Sequence, residues 1–147
     1  VDDQVYVCKG LRIMGLGGSI RYNSEETFQY TEREMRRRVR RLWFKAHRAG
    51  GIDLLLTHSP AAGLNDGDDR AHKGFACFND LLEEYQPKWF VHGHVHLSYN
   101  ANLPRVCTHG QTTVINATER YTFEIPDPDP VARKRFFWND PAFPTKN

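Results

Sequence analysis

The chain has 147 residues, 39% hydrophobic and 26% charged, with a net charge of +2 at neutral pH. That is one domain's worth of polypeptide with room for a core; the composition excludes the disordered class, and no apolar run reaches the roughly 20 residues of a transmembrane helix. Cys8, Cys77 and Cys107 are odd in number and show no C-x-x-C spacing, which excludes a zinc ribbon and a disulfide framework and fits a reducing, cytoplasmic setting.

In chain order, apolar segments at 5–8 and 11–14 flank Lys9-Gly10 and read as a β-hairpin. Gly15-Leu16-Gly17-Gly18-Ser19 follows. It lacks the third glycine of a dinucleotide fingerprint and no helix starts directly after it, so it reads as a turn leaving a strand end. Ser19, Arg21, Tyr22 and Asn23 then project toward a site, with Ser19, Arg21 and Asn23 as candidate substrate-binding residues.

Thr31-Glu32-Arg33-Glu34 is a capping box, and Met35, Val39, Leu42, Trp43 and Ala46 recur at helical spacing up to Gly50-Gly51. Within that helix seven arginines and one lysine stand against two glutamates. Two readings compete: a solvated face laced by pairs one turn apart, or a polyanion-binding face.

Residues 52–57 form a continuous apolar strand of the kind buried in a parallel sheet, ended by Thr57-His58-Ser59-Pro60. A polar loop holding Asn65, Asp66, Gly67, Asp68 and Asp69 precedes a helix expected over 70–85, its stripe Phe75, Phe78, Leu82 and Tyr85. The next strand is Trp89-Phe90-Val91, and it delivers His92-Gly93-His94-Val95-His96. Strand, helix, strand makes the two strands parallel neighbours. His58 and the pair His94 and His96 then follow the carboxyl ends of adjacent strands, the edge where open α/β sheets bind ligands. Neutral imidazoles at that spacing suit one metal or two neighbouring metals. Gly93 is expected to provide the bend between the first two histidines. His92 is expected to support the ligands from behind rather than bind. His72, at the start of the expected helix, is a further candidate for phosphate contact or a solvent-facing histidine.

Segments 105–108, 112–116 and 120–125 read as an antiparallel meander. Residues 1–125 form the compact part. Residues 126–147 form a Pro-rich strap followed by an aromatic-basic tail.

Thr57-His58-Ser59-Pro60, Gly93-His94-Val95-His96 and Ile115-Asn116-Ala117, in this order, resemble the carboxyl-terminal half of the calcineurin-like metallophosphoesterase family. The run from Gly10 to Asn23 resembles a bacterial-type branch of it. The resemblance implies part of an α/β/β/α sandwich whose dinuclear centre holds two divalent transition metals (Mn, Fe or Zn) and hydrolyses a phosphoester, as a phosphodiesterase or phosphatase. It implies that His58 and His94 bind one metal and His96 the other. The family's upstream D-x-H, G-D and G-N-H motifs have no counterpart in order here, so their ligands, the bridging carboxylate included, are expected from an amino-terminal half or a second copy. The chain alone is therefore expected to be inactive, with cover lost from Leu54, Leu56, Phe90 and Val91. Two other classes compete: a mononuclear zinc hydrolase on His58, His94 and His96, and a nucleic-acid-binding module using the arginine-rich helix. In the hydrolase reading, nucleic acid enters only as substrate.

Overall fold

The computed structural model describes residues 1–24, 27–98 and 103–126. Strands β1 (Gln4–Cys8) and β2 (Leu11–Leu16) form the expected hairpin, with Cys8 opposite Leu11. Lys9 and Gly10 both take positive φ, 47° and 83°. That pair of angles gives the two-residue turn whose twist matches the strands it joins. Two short strands, β3 (Ser19–Ile20) and β4 (Gln29–Tyr30), pair in parallel as a separate ribbon.

Helix α1 (Glu32–Arg48) begins as its local chemistry dictates. Thr31 accepts the Glu34 amide, and the Glu34 carboxylate accepts the Thr31 amide at 2.7 Å. Met35, Val39, Leu42 and Ala46 are buried, and so is Arg38. The Arg38 guanidinium donates to Asp2 and Asp3 at 2.6 and 2.9 Å and to the Gly17 carbonyl, and lies over the Tyr30 ring. It ties the start of the chain to the strand end that leads into β3.

Strands β5 (Leu54–Thr57) and β6 (Trp89–His92) are parallel neighbours, joined through helix α2 (Ala76–Tyr85). That helix starts at 76, later than expected, for two reasons. The Asp69 carboxylate accepts the Ala71 and His72 amides, an Asx-type turn that competes with helix. Phe75 at the N-cap offers no side-chain acceptor, and Glu32 of α1 takes that role, accepting from the Ala76 and Cys77 amides at 3.0 and 2.8 Å.

Strands β7 (Val106–His109) and β8 (Thr112–Asn116) close an antiparallel hairpin, and β8 runs parallel to β6. The main sheet has six strands in the order β1-β2-β5-β6-β8-β7. Segment 120–125 forms no ladder, so the meander stops at two strands. Phe123 and Ile125 instead pack against Leu54, Val91 and Ile115 on the second face of the sheet. Both helices cover the first face, over Met14, Leu16, Leu55, Phe90 and Val114.

The cover expected to be missing is largely present. Phe90 is fully buried and Leu54 and Val91 are 7% exposed, whereas Leu56 is 37% exposed. Among the described residues no helix is long and apolar enough to cross a membrane. Residues 127–147 of the expected strap and tail lie outside the described residues.

Candidate metal centre

Backbone pairing brings the two histidine motifs together. Beyond the last β5–β6 register pair the ladder continues by one bond, from the Gly93 amide to the His58 carbonyl at 3.0 Å. His94 is the next residue. Its Nδ1 lies 3.0 Å from His58 Nε2, with ring centroids 4.7 Å apart. The bend that achieves this belongs to His94 itself, at φ 68°, whereas Gly93 stays out of the left-handed region and has ordinary room for a Cβ. A non-glycine residue held at such an angle is strained, and strain of this kind concentrates at functional sites.

His94 Nε2 donates to the Ala71 carbonyl at 2.7 Å. A carbonyl only accepts, so this bond places the proton on Nε2 and leaves Nδ1 as a lone pair aimed toward His58. Metal-binding histidines are held this way by an outer carbonyl or carboxylate. Burial, followed for His58 by the neighbouring imidazole, pushes the pKa of both rings down and favours the neutral form that binds metals. Two nitrogens each about 2.0–2.1 Å from one ion stand roughly 3.0–3.4 Å apart, so this pair fits a single ion.

His96 is exposed. Among the described residues no group of three His, Cys, Asp or Glu side chains is placed to hold a metal. Of the three histidines expected to bind metal, the structure thus brings His58 and His94 together. His92 is 1% exposed, its Nδ1 donates to the Gly93 carbonyl at 3.1 Å, and its buried Nε2 finds no partner among the described residues. Burial pushes its pKa down to about 4. Its ring packs against that of Phe90, 5.3 Å between centroids.

His72 is next to the pair, its ring 5.2 Å from that of His94. Asp69 Oδ2 holds His72 Nδ1 at 2.7 Å, and that contact lowers the Asp69 pKa. Asp69 and the Ala71 carbonyl carry no motif of their own; the cluster of polar residues 65–69 was the only signal for them.

A cleft of about 460 Å³ opens beside His58, lined by Gly17, Gly18, Ser19, Tyr22, Phe28 and Gln29 among others. Ser19 lies on this wall but is buried. Arg21 pairs with Glu34 at 3.2 Å, and Asn23 accepts from Gln29 at 2.8 Å. Tyr22 and Phe28 are exposed on the same wall.

No family model matches the chain. A 71-residue stretch, 46% of the chain, is 32% identical to metallophosphoesterase domain-containing protein 1 of Homo sapiens and covers 20% of that protein. A 73-residue stretch, 45% of the chain, is 37% identical to a UPF0046 protein of Caenorhabditis elegans and covers 24% of it. The chain thus spans less than a quarter of the length of these curated relatives. One solved crystal structure superposes with a TM-score of 0.55 at 19% identity, over 80% of this chain and 44% of that one. The chain therefore shares the mixed α/β fold of that structure, and its described residues form one helix-covered sheet.

Proposed function

We propose that this chain carries part of the metal centre of a phosphoester hydrolase, a phosphodiesterase or phosphatase acting at a dinuclear site. The observation that carries the reading is the His58–His94 pair, 3.0 Å apart at the carboxyl ends of two parallel strands. In this reading His58 and His94 hold one divalent transition ion (Mn, Fe or Zn) and His96 serves the second. The remaining ligands, a bridging carboxylate included, come from the amino-terminal half of the same domain or from a second copy of the chain. The names of the curated relatives support hydrolase chemistry at the level of the family. The three free cysteines fit a cytoplasmic protein.

When bound, such ions polarise a phosphoryl oxygen and make a hydroxide available at neutral pH. The chain's own residues prepare the site. The Ala71 carbonyl fixes the His94 tautomer, and the Asp69-held His72 stands beside it, where a phosphoryl oxygen could be met. The cleft walled by Tyr22 and Phe28 gives the organic side of the ester a place next to His58.

The test is metal analysis of the protein with its completing segment, alongside hydrolysis of bis-p-nitrophenyl phosphate. Two ions per site are expected. His58→Ala, His94→Ala and His96→Ala should each lower bound metal, and His92→Ala should do so far less. A single tightly bound zinc, or His92→Ala as the most damaging change, would overturn the assignment.

A further inference from the structure

The outer face of α1 is a charged surface that the proposed centre does not use. Arg33, Arg37, Arg40, Arg41, Phe44 and Arg48 fall on one side of the helix by their spacing, and all are exposed. No carboxylate pairs with these five guanidiniums among the described residues, and Arg41 reaches only the Arg37 carbonyl, at 3.5 Å. Both acidic residues of the helix are spent elsewhere. Glu32 caps α2 and meets Arg36, and Glu34 closes the capping box and meets Arg21. Arg36 also pairs with Asp80, and Arg38 is buried on Asp2 and Asp3. A pair one turn apart thus forms between Arg36 and Glu32, and no such ion pair forms along the outer row among the described residues. Phe44, 68% exposed, lies in the middle of that row.

We propose that this face binds single-stranded nucleic acid, with the arginines on successive phosphates and Phe44 stacked against a base. The charge demands a polyanion, and three observations choose among polyanions. The row runs about 22 Å along the helix at 1.5 Å per residue, the reach of a strand rather than of one small anion. It consists of arginine, whose planar fork matches phosphate oxygens in pairs. It carries a single aromatic, which suits base stacking, whereas an anionic membrane surface calls for a broad apolar stripe. The apolar stripe of α1 is already buried in the core.

The experiment is fluorescence anisotropy of labelled 20-nucleotide oligo(dT) and oligo(U) with the full chain in EDTA, so that no metal centre contributes. Five phosphate contacts on a single strand give a log–log salt slope of about −3.5, a fall in affinity of about 130-fold between 50 and 200 mM salt. Arg37→Gln with Arg41→Gln should reduce that slope to about −2.1. Phe44→Ala should weaken binding about 5- to 150-fold and leave the slope unchanged. All three positions are on the surface, and far-UV circular dichroism confirms that the variants fold. Binding to either oligonucleotide with these changes supports the inference, and the stronger one identifies RNA or DNA as the source. The absence of binding at 50 mM salt, an unchanged slope in the double variant, or capture only by phosphatidylserine vesicles overturns it. Because EDTA is present throughout, none of these outcomes depends on the phosphoesterase reading.

Discussion

Asn116 fixes the loop that carries His94, and removing it should cost both stability and metal affinity. The side chain is fully buried; its Nδ2 donates to the Val95 carbonyl at 2.8 Å and its Oδ1 accepts the Thr118 amide and hydroxyl at 3.0 and 2.6 Å. In Asn116→Ala the Val95 carbonyl keeps a partner, because the Thr118 hydroxyl already lies 3.0 Å from it. The Thr118 amide does not. One orphaned buried N–H costs about 1–3 kcal/mol, and the lost Nδ2 bond adds about 0.5–1.5, so the change should total about 2–4 kcal/mol. For a chain of this size that lowers the melting temperature by roughly 5–15 °C. Asn116→Asp separates the two halves of the argument. It keeps the acceptor for Thr118 but sets a carboxylate against the Val95 carbonyl. Burial raises the pKa of that acid, and its protonated form recovers a donor. The Asp variant should therefore recover stability, relative to wild type, as pH falls from 8 to 5. Calorimetry across pH measures this, and isothermal titration with Mn²⁺ or Zn²⁺ in the completed protein should show about 10- to 100-fold weaker binding for the Ala variant. If Asn116→Ala melts within about 1 °C of wild type, or the Asp variant shows no pH dependence, Asn116 does not organise this loop.

The Asp53 carboxylate accepts the Arg12 amide and two guanidinium nitrogens at 2.6–2.9 Å. Burial opposes the carboxylate, but the Arg12 contacts outweigh it and hold its pKa below the usual value. A depressed folded pKa contributes stability above the unfolded value near 4 that is lost as pH falls through the folded one. Asp53→Asn should thus destabilise by about 1–3 kcal/mol at pH 7 in urea melts, with the gap from wild type narrowing below pH 4. Replacing Glu32 by Ala should shorten α2 from its amino end and cost about 1–2 kcal/mol, whereas Glu32→Gln should cost less; equal losses would mean that the inter-helix cap does not matter. Arg37→Gln with Arg41→Gln should leave hydrolysis of a small phosphodiester by the completed protein within about twofold at all salt concentrations. A loss confined to low salt would show that the helix steers substrate into the site. In the proposed hydrolase, the 147-residue chain alone should cleave bis-p-nitrophenyl phosphate no faster than buffer with the same metal, and its completing half should restore turnover.

What the sequence made legible was whatever local chemistry decides. The Thr31 capping box set the start of α1, and Met35, Val39, Leu42 and Ala46 set its buried face. The adjacency of β5 and β6 followed from strand, helix, strand, and with it the meeting of His58 and His94. Interactions between distant segments were not legible. The start of α2 depends on Glu32 from another helix, and the polar loop before it is held by Asp69. Arg38 read as one more surface arginine because its partners, Asp2, Asp3 and the Gly17 carbonyl, come from a remote part of the chain. The pairing of Arg21 with Glu34 and of Asn23 with Gln29 was hidden for the same reason. Segment 120–125 had strand composition, but the edge beside β8 was already taken by β7, and its apolar residues settled on the face of the sheet.

The strand order has a consequence for how the chain reaches this structure. Both edges of the six-stranded sheet are hairpins, Cys8 facing Leu11 across one turn and His109 facing Thr112 across the other. The three inner pairings are parallel and join remote segments, Ile13 with Leu54, Leu54 with Trp89 and Trp89 with Thr113. Closing a short turn sacrifices little chain entropy, and hairpins form in about 1–10 μs, whereas parallel pairing must wait for long loops to close. The expected order of assembly therefore runs from the margins inward: β1–β2 and β7–β8 form early, and β5 and β6 dock between them last, behind their helices. The histidine pair, which spans that β5–β6 seam, comes into being only at the final step. Conservative truncations in the hairpins should slow refolding, and Leu55→Ala or Val91→Ala should chiefly speed unfolding.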